Sequence, residues 1–173
     1  MFARRSKDGS GIVSAAVETA RDAAARLGER RGPGAGVASA AVPDTPMLQR
    51  ILSEYSLVHS IDDDGDLVVR WPTHSIYFFH YGERGEVLQA RLYLDARFDV
   101  DIRPALTVLL DDWNRTKLFP KAYTVLPDDG MVAVCAEHVF DFEAGMTRAG
   151  LKYTIGTWIH ALLQFADWIA EQA

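Results

Sequence analysis

Residues 101–120, DIRPALTVLLDDWNRTKLFP, constrain the possible folds of this chain more than any other stretch. Ile102, Leu106, Leu109, Leu110 and Trp113 recur at helical spacing and fall on one broad face. Asp99 or Asp101 can cap the start, and Pro104 stands early enough to be tolerated. Pro120 stops the run. The flanking sequence instead alternates with a period of two, which is the strand signature. An amphipathic helix set between two β-rich blocks predicts an α+β domain in which an antiparallel sheet packs with helices.

Taken in order, the chain supports that plan. Residues 11–31 have helical composition, but their apolar stripe is mostly alanine and buries little area. Gly-Pro-Gly-Ala-Gly at 32–36 breaks it, and residues 32–43 read as a linker. The expected organisation is a basic tail and linker over 1–43 and a folded domain over 44–173. Asp44-Thr45-Pro46 is a helix start, followed by an apolar face of Leu48, Ile51, Leu52 and Tyr55. Residues 57–71 predict a hairpin that turns at Asp62-Asp63-Asp64-Gly65-Asp66. Residues 74–81 are aromatic on both faces, which predicts a strand covered on both sides. Residues 87–98 place Leu88, Ala90, Leu92, Leu94, Ala96 and Phe98 toward a core and Gln89, Arg91, Tyr93, Asp95 and Arg97 toward water. Beyond the central helix come strands over 123–126 and 131–142, the second apolar on both faces in its first half. A long helix over about 147–171 closes the chain. The predicted order is α-β-β-β-β-α-β-β-α.

Charge and cysteine usage narrow the function. Residues 1–43 carry seven Lys/Arg and four Asp/Glu, a net of +3, whereas residues 44–173 carry eleven and twenty, a net of −9. So acidic a domain repels nucleic acid at long range. Cys135 is the single cysteine, which fits a reducing compartment. No run of about 18–20 apolar residues predicts a membrane span. The expected location is cytoplasmic.

No catalytic constellation stands out. The five histidines form no HxxxH or HxH pair. Nucleophile-elbow, phosphate-loop and dinucleotide motifs are missing. Asp62 to Asp66 is calcium-like in composition, but position twelve of such a loop falls on Thr73 where a glutamate is needed, so a turn is expected. Cys135, in Val-Ala-Val-Cys-Ala, reads as an inert core thiol. No enzyme, metal or cofactor is expected. Phe79, Tyr81, Leu109, Trp113, Asn114, Phe119 and Tyr123 are the candidate contact residues, for a partner or a second copy, with ordinary core packing as the alternative. Asn114 suits a hydrogen bond to nearby backbone as its helix ends, and Trp113 is expected to pin that helix to the sheet.

The segments Asp112-Trp113-Asn114-Arg115-Thr116, Phe119-Pro120-Lys121-Ala122-Tyr123 and Asp128-Asp129-Gly130, with the closing helix bearing Phe165 and Trp168, resemble the YbjN family of bacterial sensory transduction regulators. The resemblance covers about residues 44–172. It implies the fold of type III secretion chaperones, small acidic homodimers that bind extended segments of partner proteins. The family has no agreed catalytic residues, so none carries over. Two functional expectations follow. The first is a homodimeric, chaperone-like protein-binding module. The second is a sensory regulator that responds to a small ligand in a pocket between sheet and helix.

Overall fold

Alternation, turn chemistry and helix capping set the elements one by one. The computed structural model describes residues 40–172. These form α1 (Thr45–Glu54), β1 (His59–Ile61), β2 (Leu67–Arg70), β3 (His74–Tyr81) and β4 (Val87–Phe98). A 3-10 turn (Val100–Ile102), α2 (Arg103–Thr116), β5 (Lys121–Val125), β6 (Val132–Asp141) and α3 (Arg148–Ala170) follow. The element order is the predicted one. The predicted helix over 11–31 lies outside the described residues.

Local chemistry explains the boundaries. Asp44 accepts a hydrogen bond from the Met47 N–H at 2.7 Å and caps α1. Thr147 caps α3 in the same way through Gly150 N–H. Asp99 caps the 3-10 turn by accepting from Asp101 N–H, while α2 itself starts at Ile102 with no side-chain cap. In the first hairpin Asp62 Oδ1 accepts from the main-chain N–H groups of Asp64 and Asp66, and Gly65 takes φ +92°. The positive φ is what a glycine makes inexpensive.

The six strands form one antiparallel sheet in the order β1-β2-β3-β4-β6-β5. All three helices pack on one of its faces. Leu48, Ile51 and Leu52 of α1 and Ile155, Leu162 and Phe165 of α3 bury against Ile76, Phe78, Leu88, Ala90 and Leu92 of the strands. Each of the larger side chains among these contributes about 1.5–3 kcal/mol. Ala41 extends the packed region toward the N-terminus by pairing with Met146 through two main-chain hydrogen bonds.

Two expectations need correction. Val132 to Ala136 of β6 are buried on both faces, as their apolarity suggests, but without a second layer, and β3 is fully buried on one face only, with Tyr77 and Phe79 partly exposed on the other. Among the described residues no element covers the second face, and large neighbours bury the small residues there. Cys135 lies in register between Tyr93 and Tyr123, and Ala133 between Arg97 and Val125. The alternation of β4 also breaks: the register with β6 shifts between Tyr93 and Arg97, so Ala96 is exposed. That irregularity is a bulge, which bends the strand and re-aims its side chains.

Helix α2 lies along the edge strand β5. Leu110 and Trp113 are buried, Leu106 and Leu109 pack partly against the core, and Ile102 is 42% exposed. The Trp113 indole, 4% exposed, donates to the Pro120 carbonyl at 2.9 Å. Its ring meets Phe165 at 5.2 Å and Trp168 at 4.9 Å. Trp113 therefore ties α2 to α3 and to the start of β5, where a contact with the sheet was expected. Trp113→Ala is expected to cost about 3–5 kcal/mol by emptying this site. Urea unfolding measures it, and an unchanged midpoint would place the indole outside the core.

Candidate functional site: the uncovered face of the sheet

The face opposite the helices is built from the odd-numbered residues of β3, β4, β5 and β6. Register sets them in rows: Phe79, Gln89 and Val139 in one, and Tyr77, Arg91, Glu137 and Lys121 in the next. The third row holds Ser75, Tyr93, Cys135 and Tyr123. Cross-strand neighbours at this spacing touch. Tyr77 stacks on Phe79 at 5.8 Å and meets Tyr93 edge-on at 5.7 Å.

Glu137 is the polar centre of the face. Its Oε2 accepts from Gln89 Nε2 at 2.9 Å, from Arg91 Nε at 3.2 Å and from the Tyr123 hydroxyl. Lys121 Nζ lies 3.5 Å from Oε1. The carboxylate is only 11% exposed, so an ion pair here is less screened than one at the open surface. Arg91 also lies over the rings of Phe79, Tyr93 and Tyr123, each within 6 Å. Burial, and then the bond to Glu137, push the Tyr123 hydroxyl well above the usual tyrosine range. Tyr81 completes the face by donating to Gln89 Oε1 at 3.1 Å. The aromatic side chains are thus held in fixed positions by a charged, hydrogen-bonded centre, and Tyr81 and Val139 are about half exposed.

The candidate contact residues divide across the sheet. Phe79, Tyr81 and Tyr123 share the uncovered face. Leu109, Trp113, Asn114 and Phe119 lie on the helix side. The Asn114 amide makes a two-point contact with Ala122: Nδ2 donates to its carbonyl at 2.8 Å, and Oδ1 accepts from its N–H at 2.9 Å. Asn114 thereby occupies the outer margin of β5 as a neighbouring strand would. Phe119, 44% exposed, leans on His138 at 5.2 Å. His138 also stacks on Trp158, with rings 5.4 Å apart and nearly parallel. Its buried Nε2 has no hydrogen-bond partner, and burial pushes its pKa down to about 4. Sequence reasoning missed Tyr77, Val139 and the Arg91–Glu137 pair as parts of one surface. The alternation of 87–98 placed Arg91 on a wet side, but nothing in the sequence pairs it with Glu137.

Chemically the arrangement offers an aromatic surface around an ion-paired centre. Burial pushes the Cys135 thiol up to about 11, far from a reactive thiolate. Among the described residues no group of three or more His, Cys, Asp or Glu is placed to hold a metal ion. No helix among them is long and apolar enough to cross a membrane.

A one-sided helical layer on an antiparallel sheet, with an aromatic face opposite, defines an α+β domain. The YbjN family, described as "Putative bacterial sensory transduction regulator", matches residues 45–171, and the chain belongs to this family. Its structure is similar to "YbjN, a putative transcription regulator from E. coli" with a TM-score of 0.60 and 14% identity. That likeness covers 72% of this chain and 89% of the other, and at this identity it shows the fold alone. None of the curated proteins matches the chain.

Two outcomes are expected from this geometry. Asn114→Ala leaves the Ala122 N–H and carbonyl without partners and is expected to cost about 1–3 kcal/mol. The same change opens the β5 margin, so sedimentation velocity should show growing association with concentration. A variant as stable and as dispersed as the parent would contradict the edge-blocking role. For His138, the unfolded chain takes up a proton near pH 6.5 and the folded chain only near 4. Stability from this group is therefore intact above pH 6.5, falls as pH drops toward 4, and is flat below. The slope is at most about 1.4 kcal/mol per pH unit, or about 3 kcal/mol in all. His138→Phe should flatten that part of the stability–pH curve, and identical curves for the two proteins would refute it.

Proposed function

We propose that this protein is a non-enzymatic regulatory module that acts by contact. It pairs with a second copy and holds an extended segment of a partner protein against the uncovered face of its sheet, as the resemblance to secretion chaperones implies. The observation that supports this is the aromatic face itself: Tyr77, Phe79, Tyr81, Tyr93 and Tyr123 are fixed around Arg91 and Glu137 with no described element over them. Rigid aromatics with few rotatable bonds give much contact area at low entropic cost, and partly exposed aromatic patches mark interaction surfaces. The acidic domain argues against nucleic acid as the partner. The single cysteine suits a cytoplasmic setting.

A second reading is a regulator that responds to a small ligand. A cavity of about 360 Å³ on the same face favours it, and a size of that order is typical of ligand sites. It lies on the side away from the helices, not between sheet and helix.

Light scattering on the full chain should give twice the 19.2 kDa protomer mass, and a strict monomer at every concentration counts against pairing. In pull-downs, hydrogen exchange should map the partner's contact to β3 and β4. Tyr81→Glu combined with Val139→Glu, both at exposed positions, should abolish that capture. Undiminished capture by the variant would move the working surface elsewhere.

A further inference from the structure

The helical layer leaves one gap. Strand β5 begins at Lys121, which pairs with Glu137, so residues 138–141 of β6 run beyond its reach. Phe140 lies in register with Leu88 and so points to the helix side, yet it is 51% exposed. Phe119, in the bend before β5, leans on His138 from the other direction, and its neighbour Leu118 is exposed. Trp158 of α3 walls the gap on the inside by stacking on His138 and meeting Phe142 edge-on. Among the described residues Leu118, Phe119 and Phe140 are left uncovered. Large apolar side chains grouped at one strand end form a patch of the kind that marks a contact site.

The chain enters beside this gap. Ala41 N–H donates to the Met146 carbonyl at 3.1 Å, and Met146 N–H donates back to the Ala41 carbonyl at 3.0 Å. Gly145 N–H donates to the Phe142 carbonyl at 2.7 Å, and the rings of Phe142 and Phe140 meet at 4.8 Å. Only the turn over 142–146 therefore separates the entry point from the patch. Residues 1–39 lie upstream, and their apolar stripe is Ile12, Ala16, Val17, Ala20, Ala24 and Leu27. That stripe is too thin to hold a helix alone. Against protruding phenyl rings its alanines are an advantage, because small contact residues let a helix approach closely. Residues 28–39 can span roughly 40 Å at about 3.3 Å each, against a radius of gyration of about 14 Å for a domain of this size. Charge favours the approach too: residues 1–43 carry a net of +3 and residues 44–173 a net of −9.

We propose that residues 12–27 dock in cis on this patch as a fourth helix, with Ile12, Val17 and Leu27 against Phe119 and Phe140. The tether makes the contact intramolecular, and the high effective concentration offsets its small area. The patch lies on the helix side of the sheet, so the inference does not rest on the uncovered face being the working surface.

The test is paramagnetic relaxation in the full chain. A nitroxide is attached at Ala25→Cys, which stands off the stripe, while the buried Cys135 takes no label. Amide signals of Leu118, Phe119 and Phe140 and the Trp158 indole signal should lose most of their intensity, and those of β1, at the far border of the sheet, should keep theirs. Ile12→Asp with Val17→Asp and Leu27→Asp changes no described residue and should restore the lost signals. Phe119→Ser with Phe140→Ser should do so as well, with the remaining spectrum unchanged. Absent or uniform broadening overturns the docking, and so does broadening that survives the stripe substitutions. In a mixture of isotope-labelled chain without nitroxide and nitroxide-bearing chain without isotope, the patch signals should stay intact. Loss of signal there gives the patch to the stripe of a second copy and overturns docking in cis. None of these outcomes depends on the pairing or capture measurements.

Discussion

The side chains of Trp113 and Asn114 reach three main-chain groups of one short segment: the Pro120 carbonyl and both polar groups of Ala122. The rest of the architecture depends on this contact. A strand at the border of a sheet presents a row of main-chain donors and acceptors that must be satisfied or covered. Here two consecutive residues at the end of α2 do both. The indole buries its ring between Phe165 and Trp168 while its N–H serves the turn, and the amide completes hydrogen bonding at the border. One helical segment thus joins the sheet margin to the long closing helix.

With the helices committed to one side, the other side of the sheet keeps its side chains as its only cover. Its order comes from the Glu137 carboxylate, which collects donors from the two strands flanking its own, β4 and β5, and from Arg91, whose guanidinium serves both as an ion-pair partner and as a cation over three rings. Such a centre satisfies its own charges internally, because the carboxylate and the guanidinium each have several partners. The surface it supports is therefore aromatic at its rim and electrostatically closed in its middle.

Much of this was legible in the residues, because helical periodicity, strand alternation and capping chemistry are local. The spacing of Ile102 to Trp113 gave α2, the alternation of Leu88 to Leu94 gave the core side of β4, and Asp44 marked the start of α1. The departures are all consequences of tertiary packing. Double-sided apolarity at Val132 to Ala136 reads as burial under a second layer, yet tyrosines and arginines on adjacent strands bury these small residues instead. The shift between Tyr93 and Arg97 leaves no signal in composition. The pairing of Arg91 with Glu137 depends on register between strands 46 residues apart in sequence. The candidate contact set split across two faces because single-residue readings cannot tell which side of a sheet a helix will choose.

The two borders of the sheet are unequal. At one, α2 closes off β5. At the other, β1 is a ribbon of three residues with no strand described beyond it. A layer that can be lengthened from a single margin can be joined once and then stops, because the second copy contributes its own blocked border to the outside. Two open borders would permit indefinite head-to-tail growth. Among the described residues the sheet thus offers one margin, and not two, for extension strand by strand.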